Sequence, residues 1–337
     1  MAERLTLPGF VNVHSHAFQR ALRGRVDGGD FWAWRDAMLE LARAQSPERV
    51  REEYAAVYQE MRAAGFTAVG EFHYLGLAEA YAASEAAGEA GIEFVLLHVA
   101  YARGGIEAFR RPTVDAYLQE VDALRRDGIA VGLAPHSVRA CPPDWLEQLG
   151  RHADEHGLVL HVHACEQPRE IEECLAEHGL RPIELLARTG CLGPRTTVVH
   201  ATHASDAELD LLADHGSRIC ACPTTEASLG DGFLPVERVR SRGIPLCIGS
   251  DSNVRIDPLE ELRELEGIAR RQELRRGVLE VDELLRIGSA EGAAALGLDA
   301  WAKVAADLGH PSLAGIPPDE ARAALVFGCA ADVFAPV

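Results

Sequence analysis

Apolar, β-branched runs of four to seven residues recur along the whole chain, separated by longer segments of helical period. This alternation is the pattern of parallel strands joined by crossover helices. The runs are Phe10–Val13, Phe66–Glu71, Ile92–His98, Ile129–Ala134, Leu158–His163, Thr197–His200, Arg218–Ala221 and Ile244–Gly249, eight in all. Helix-like stretches between them include Glu48–Ala64, Leu77–Glu89, Val114–Arg126, Asp144–His156, Ala207–His215 and Pro235–Ser241. Glycines such as Gly91 and Gly157 stand where a helix must cap and turn into the next strand. Eight such units predict the α/β class and, within it, a (β/α)8 TIM-type barrel.

In such barrels function gathers at the C-terminal ends of the strands, and here those ends carry histidines and carboxylates. The first run delivers His14 and His16, which alternation along a strand points the same way. Later ends carry Glu71, His73 and Tyr74, then His98, His136, His161, His163 and Glu166, then His200 and Asp251. Nitrogen and oxygen ligands from His14, His16, His163 and Asp251 would suit one Zn2+ ion with a position left open for water. His73, His98, His161 and His203 read as structural.

Composition narrows the partners. A chain of 337 residues with a formal net charge of −19 does not favour nucleic acid or an anionic membrane, both of which select clustered Lys and Arg. No apolar run approaches the roughly 20 residues needed to cross a bilayer, and Met1-Ala2-Glu3-Arg4 does not open a secretory signal. The eight cysteines show no Cys-x-x-Cys spacing and read as reduced, mostly buried thiols, which places the protein in the cytoplasm.

The segments His14-Ser15-His16, His163-Ala164-Cys165-Glu166, Val199-His200-Ala201-Thr202-His203 and Gly249-Ser250-Asp251-Ser252 resemble the amidohydrolase superfamily in its mononuclear deaminase branch. The only lysine, Lys303, lies in the C-terminal region, so a bridging carboxylated lysine on a barrel strand is not available, and one zinc per chain is the simpler reading. Narrower motifs are Phe31-Trp32-Ala33-Trp34-Arg35, Glu71-Phe72-His73-Tyr74-Leu75, Pro135-His136-Ser137-Val138-Arg139 and Pro223-Thr224-Thr225-Glu226. These resemble the formimidoylglutamate deiminase family, whose members convert N-formimino-L-glutamate and water into N-formyl-L-glutamate and ammonia in histidine degradation. The resemblance implies that Glu166 works as acid and base and that His200 orients the attacking oxygen. It leaves Asp251 as ligand, base or both. It also implies a small dicarboxylate substrate held by Arg35 and Arg139, whose guanidinium forks match carboxylates, with Gln19, Tyr74 and His136 adding polar contacts.

Some features depart from that family. Its members carry strands before and after the barrel that form a small β-sandwich, whereas here only Met1–Leu7 precede Pro8, so the sandwich is expected to be missing or vestigial. The expected division is a catalytic barrel over residues 1–276 and a helical extension over 277–337, with helices at Asp282–Leu296 and Trp301–Leu308 and a remnant strand within Leu325–Ala335. Those helices, or a second subunit in a homodimer, would cover the barrel surface. Leu75-Gly76-Leu77 and Tyr101–Gly105 stand where relatives have longer, histidine-bearing loops. A related amidine or guanidino amino acid, a heterocyclic base, or a catalytically silent scaffold role are therefore the alternatives to N-formimino-L-glutamate.

Overall fold

The computed structural model describes residues 4–26 and 28–335; the opening residues 1–3, on which the reading of no secretory signal partly rests, lie outside that range. Eleven strands form among the described residues: β1 (Arg4–Pro8), β2 (Phe10–Ser15), β3 (Phe66–His73), β4 (Glu93–Ala100), β5 (Val131–Pro135), β6 (Leu160–Ala164), β7 (Thr196–His200), β8 (Arg218–Ala221), β9 (Leu246–Ile248), β10 (Lys303–Asp307) and β11 (Phe334–Ala335). Strands β2 to β9 pair in parallel and in sequence order. The ring closes where Ser15 bridges Asp251. This is the predicted eight-stranded barrel, and each of the eight apolar runs supplies one of its strands. They are buried on both faces, which is why they read as continuous apolar runs instead of alternating ones.

Several helices start at side-chain caps, and others stop at left-handed glycines. Ser46, Thr113 and Ser205 accept backbone N–H groups of the first turns of the helices Pro47–Ala63, Val114–Arg126 and Asp206–Asp214. Gly91 and Gly157 end two helices at φ 66° and 62°, conformations that cost a residue with a Cβ.

Outside the barrel, the described residues form a three-stranded antiparallel sheet in the order β1-β10-β11. Two expectations for the C-terminal region need correction. Trp301–Leu308 is not a helix: Lys303–Asp307 forms β10, paired antiparallel with β1 from Pro8↔Lys303 to Arg4↔Asp307. Its alanines suit a helix, but Val304 and Ala306 are buried by that pairing, and tertiary burial overrides propensity. Within Leu325–Ala335 most residues are not strand, because the helix Ala321–Gly328 buries Leu325 and Val326, leaving only Phe334–Ala335 to pair with β10. The Asp282–Leu296 stretch is two helices, Val281–Ile287 and Ala290–Leu296. The second closes the base of the barrel, where His161 Nε2 lies 3.0 Å from the carbonyl of Ala295.

Candidate active site

The barrel's closing seam carries the first histidines. The Asp251 N–H donates to His14 O at 2.9 Å and the His16 N–H to Asp251 O at 2.8 Å, so β2 and the loop after β9 are pinned to each other. Around this seam Asn12 Nδ2 donates to Ser250 Oγ at 2.6 Å, Ser250 Oγ to Asn253 Oδ1 at 2.7 Å, and Asn253 Nδ2 to Ser15 Oγ at 3.1 Å. The approach is so close that a Cβ on Gly249 would stand 2.7 Å from His14 O. Of the six described non-glycine residues with positive φ, five lie at this end of the barrel: Cys165, His200, Ala201, Asp251 and Asn253. Such backbone is costly and persists only where its surroundings enforce it.

The ring nitrogens of His14, His16 and His163 come within 4.8 Å of one another. Each of the outer two rings is fixed by a backbone carbonyl: His16 Nδ1 donates to Phe72 O and His163 Nδ1 to His136 O, both at 3.0 Å. The Nε2 atoms are thereby left as lone pairs aimed inward. His163 Nε2 stands 3.0 Å from His14 Nε2, and Asp251 Oδ1 lies 3.6 Å from His14 Nε2 and 3.4 Å from His16 Nε2. Burial first, then the neighbouring rings, push His16 down to about 3 and His163 well below the usual imidazole range. Burial alone would raise Asp251, but His14 and His16 hold it below the usual carboxylate range. Neutral imidazoles beside an ionised carboxylate form a donor set that fits a divalent, zinc-like ion.

Beside this set stand Glu166 and His200. His200 Nε2 is 3.6 Å from Glu166 Oε1 and 3.7 Å from Asp251 Oδ2, while its Nδ1 is 3.2 Å from Glu226 Oε1. Burial pushes Glu166 up to about 7, with His200 and Arg139 opposing and Asp251 adding to the rise. That is the range of a proton carrier at neutral pH. Burial lowers His200, yet the carboxylates of Glu166 and Glu226 outweigh it and hold the imidazole well above its ordinary value.

Above these groups opens a cavity lined by His16, His163, Glu166 and Asp251 on its floor and by Gln19, Arg35, Tyr74, His136 and Arg139 on its walls. His14 and His200 do not line the cavity. All eleven residues singled out from the sequence therefore fall in or directly beneath one cavity. Gln19 Nε2 donates to Tyr74 Oη at 2.8 Å, and the other amide atom, Oε1, is buried with no partner. Arg139 Nη2 is 3.8 Å from Glu166 Oε2, and its Nε is likewise buried without a partner. Arg35 reaches the cavity from the helix Phe31–Arg43, which also contributes Trp34, Met38 and Leu39.

Three further histidines meet hydrogen-bond partners away from this set. His73 meets Gly76 O at 3.2 Å, His98 meets Glu120 at 2.9 Å, and His203 meets Asp231 O at 2.6 Å. Three polar neighbours escaped the sequence reading. Glu226 sits on His200, Asp231 brings a carboxylate within 4.8 Å of the Glu166 and His200 groups, and Glu170 accepts the Glu166 N–H at 3.0 Å. The Pro-Thr-Thr-Glu motif marked the segment that carries Glu226 but not the direction of its side chain. Tyr101, whose ring stands 4.5 Å from that of His136, also lines the cavity and was missed.

The chain is similar to known proteins over most of its length. The model of the amidohydrolase family matches residues 5–302. The chain is 38% identical over 334 residues to a formimidoylglutamate deiminase of Pseudomonas aeruginosa, covering 88% of this chain and 74% of that protein. It is 30% identical over 303 residues to a 5-methylthioadenosine/S-adenosylhomocysteine deaminase of Natronomonas pharaonis, covering 88% and 69%. A solved amidohydrolase from Brucella melitensis superposes with a TM-score of 0.85 at 31% identity, over 98% of this chain and 84% of that one.

Proposed function

The chain belongs to the amidohydrolase family and is a hydrolytic deaminase of C–N bonds; from that premise we propose that it hydrolyses N-formimino-L-glutamate to N-formyl-L-glutamate and ammonia. The observation that carries this reading is the pair Arg35 and Arg139 on the wall of the cavity whose floor holds Glu166. A dicarboxylate with a planar amidine needs cations at one end and a proton carrier at the other, and guanidinium forks bind carboxylates bidentately. The unpartnered Nε of Arg139 is a donor awaiting such an acceptor.

His14, His16, His163 and Asp251 would hold one zinc ion, which supplies the Lewis acidity that makes water nucleophilic at neutral pH. Glu166 accepts the proton of the attacking water as a C–O bond forms at the formimino carbon. His200, oriented by Glu226, faces the developing oxygen with Nε2. Glu166 passes that proton to the formimino nitrogen and then carries the second one, released from the new C–OH as the C=O forms, to the same nitrogen; the C–N bond breaks, ammonia leaves, and the formyl group stays on glutamate. Gln19, Tyr74 and His136 orient the chain of the substrate between the two ends. The eight cysteines sit as buried thiols, which supports a reducing, cytoplasmic compartment.

The test is ammonia release by zinc-loaded protein from N-formimino-L-glutamate and, separately, from 5-methylthioadenosine, each beside a Glu166→Gln variant. Release from the first that the variant abolishes supports the proposal. Release from the nucleoside alone would replace it with a heterocyclic deaminase.

A further inference from the structure

A third guanidinium stands beside the two carboxylate-binding arginines of the cavity. The guanidinium carbons of Arg35, Arg139 and Arg169 lie 5.8, 5.9 and 4.3 Å from the centre of one ring, that of Trp32. In a chain of net charge −19, three like charges converge on a single neutral side chain. The indole face attracts cations, and distances up to about 6 Å are within its reach. Trp32 itself does not line the cavity, whereas Arg35 and Arg139 do. The ring therefore stands behind the two arginines and holds them converged.

The three cations come from separate parts of the fold. Arg35 lies one turn beyond Trp32 on the helix Phe31–Arg43, so those two share a face. Arg139 follows β5, and Arg169 sits in the first turn of the helix Pro168–His178, three residues beyond Glu166. The helix Phe31–Arg43 buries Phe31, Met38 and Ala42 and packs Trp34, Leu39 and Leu41 partly buried beside them. The contact of Trp32 with Arg169 ties it to the catalytic rim. Arg169 is 58% exposed and its Nε donates to Glu173 Oε1 at 2.8 Å, which fixes the guanidinium at the solvent edge.

We propose that Trp32 and Arg169 position the carboxylate-binding arginines of this pocket from behind: Trp32 is the positioning residue that holds Arg35 and Arg139 together against their mutual repulsion, and Arg169, itself paired with Glu173, locks the ring. The inference rests on the dicarboxylate reading of the site and names what holds its two arginines in place.

Steady-state kinetics of Trp32→Phe, Trp32→Leu, Arg169→Lys and Arg169→Met test it, with N-formimino-L-glutamate compared against the monocarboxylate N-formimino-glycine. Trp32→Leu and Arg169→Met are expected to raise KM for the dicarboxylate about tenfold with a much smaller effect on kcat, and to leave KM for the monocarboxylate nearly where it was. Trp32→Phe and Arg169→Lys keep a ring and a cation and should restore most of the discrimination. An unchanged KM ratio in Arg169→Met would overturn the proposal, and that variant decides the matter if Trp32→Leu does not fold. Failure of the underlying reading is separately visible: if the unaltered enzyme turns over neither substrate, binding of glutarate against butyrate is followed by tryptophan fluorescence. Preference for glutarate that Arg169→Met removes supports the positioning role, and no preference in the unaltered enzyme overturns it.

Discussion

His200 Nδ1 lies 3.2 Å from Glu226 Oε1, a pair in which both side chains are buried, and the same carboxylate oxygen accepts the N–H of Cys222 at 2.9 Å. The carboxylate fixes the ring so that Nε2 faces Glu166 and Asp251. A buried acceptor that orients a catalytic ring acts on the transition state more than on substrate binding. Glu226→Gln is therefore expected to lower kcat by about 10²-fold with little change in KM and with zinc content retained. Steady-state kinetics beside metal analysis of the purified variant check this; a KM effect alone would place Glu226 in substrate binding instead.

The eight strands and the ends that carry chemistry could be read directly, because a strand buried on both faces writes itself as an apolar run and its last residue is fixed by where that run stops. His200 ends β7, His14 and His163 stand next to the ends of β2 and β6, and His16 and Asp251 follow β2 and β9 by one and three residues. Glu226 is not legible in this way, since it sits one helical turn beyond β8 on the helix Pro223–Leu229, and only the packing of that helix shows that its carboxylate turns back toward β7. Trp32 was visible only as part of a motif, because its partners Arg139 and Arg169 are more than 100 residues away in the chain. Lys303–Asp307 misled for a related reason: its strand partner, Arg4–Pro8, lies at the opposite end of the chain.

Glu166 sets a pH dependence. Its carboxyl is pushed up to about 7, chiefly by burial, and only its ionised form accepts a proton. The rate kcat/KM should fall tenfold per pH unit below about pH 7 and level off above it. Stability runs the other way. A carboxyl raised from about 4.3 in the unfolded chain contributes stability that is fully present below about pH 4.3 and is lost as pH rises through about 7. The Glu166→Gln variant should lose both the acid limb of any residual rate and this part of the pH dependence of Tm. An unshifted acid limb in the variant would assign it to another group.

The two arginines on the cavity wall should separate binding from metal retention. Arg35→Met and Arg139→Met each remove a charged donor, an interaction worth about 1.5–3 kcal/mol, so kcat/KM for N-formimino-L-glutamate should fall roughly ten- to a hundredfold or more. Zinc content should stay at the level of the unaltered protein, because neither residue belongs to the group His14, His16 and His163. Unchanged kinetics in both variants would remove the carboxylate clamp from the mechanism.

The seam between β2 and the loop after β9 leaves no room for a methyl group at Gly249. A Cβ there would stand 2.7 Å from His14 O, 2.8 Å from His14 Cβ and 3.0 Å from His14 N, all of it backbone or the root of a side chain that cannot swing away. Gly249→Ala must then push His14 and Asp251 apart, and overpacking of this kind costs about 1–3 kcal/mol. The same shift spreads the donor set, so the variant is expected to lose Tm and to bind zinc more weakly, while added zinc recovers part of the Tm because it binds only the folded form. Thermal melts with and without zinc measure both effects. A variant that loses Tm but binds zinc with unaltered affinity would show that the donor set is held by the remaining contacts of β2 and not by the close approach at Gly249.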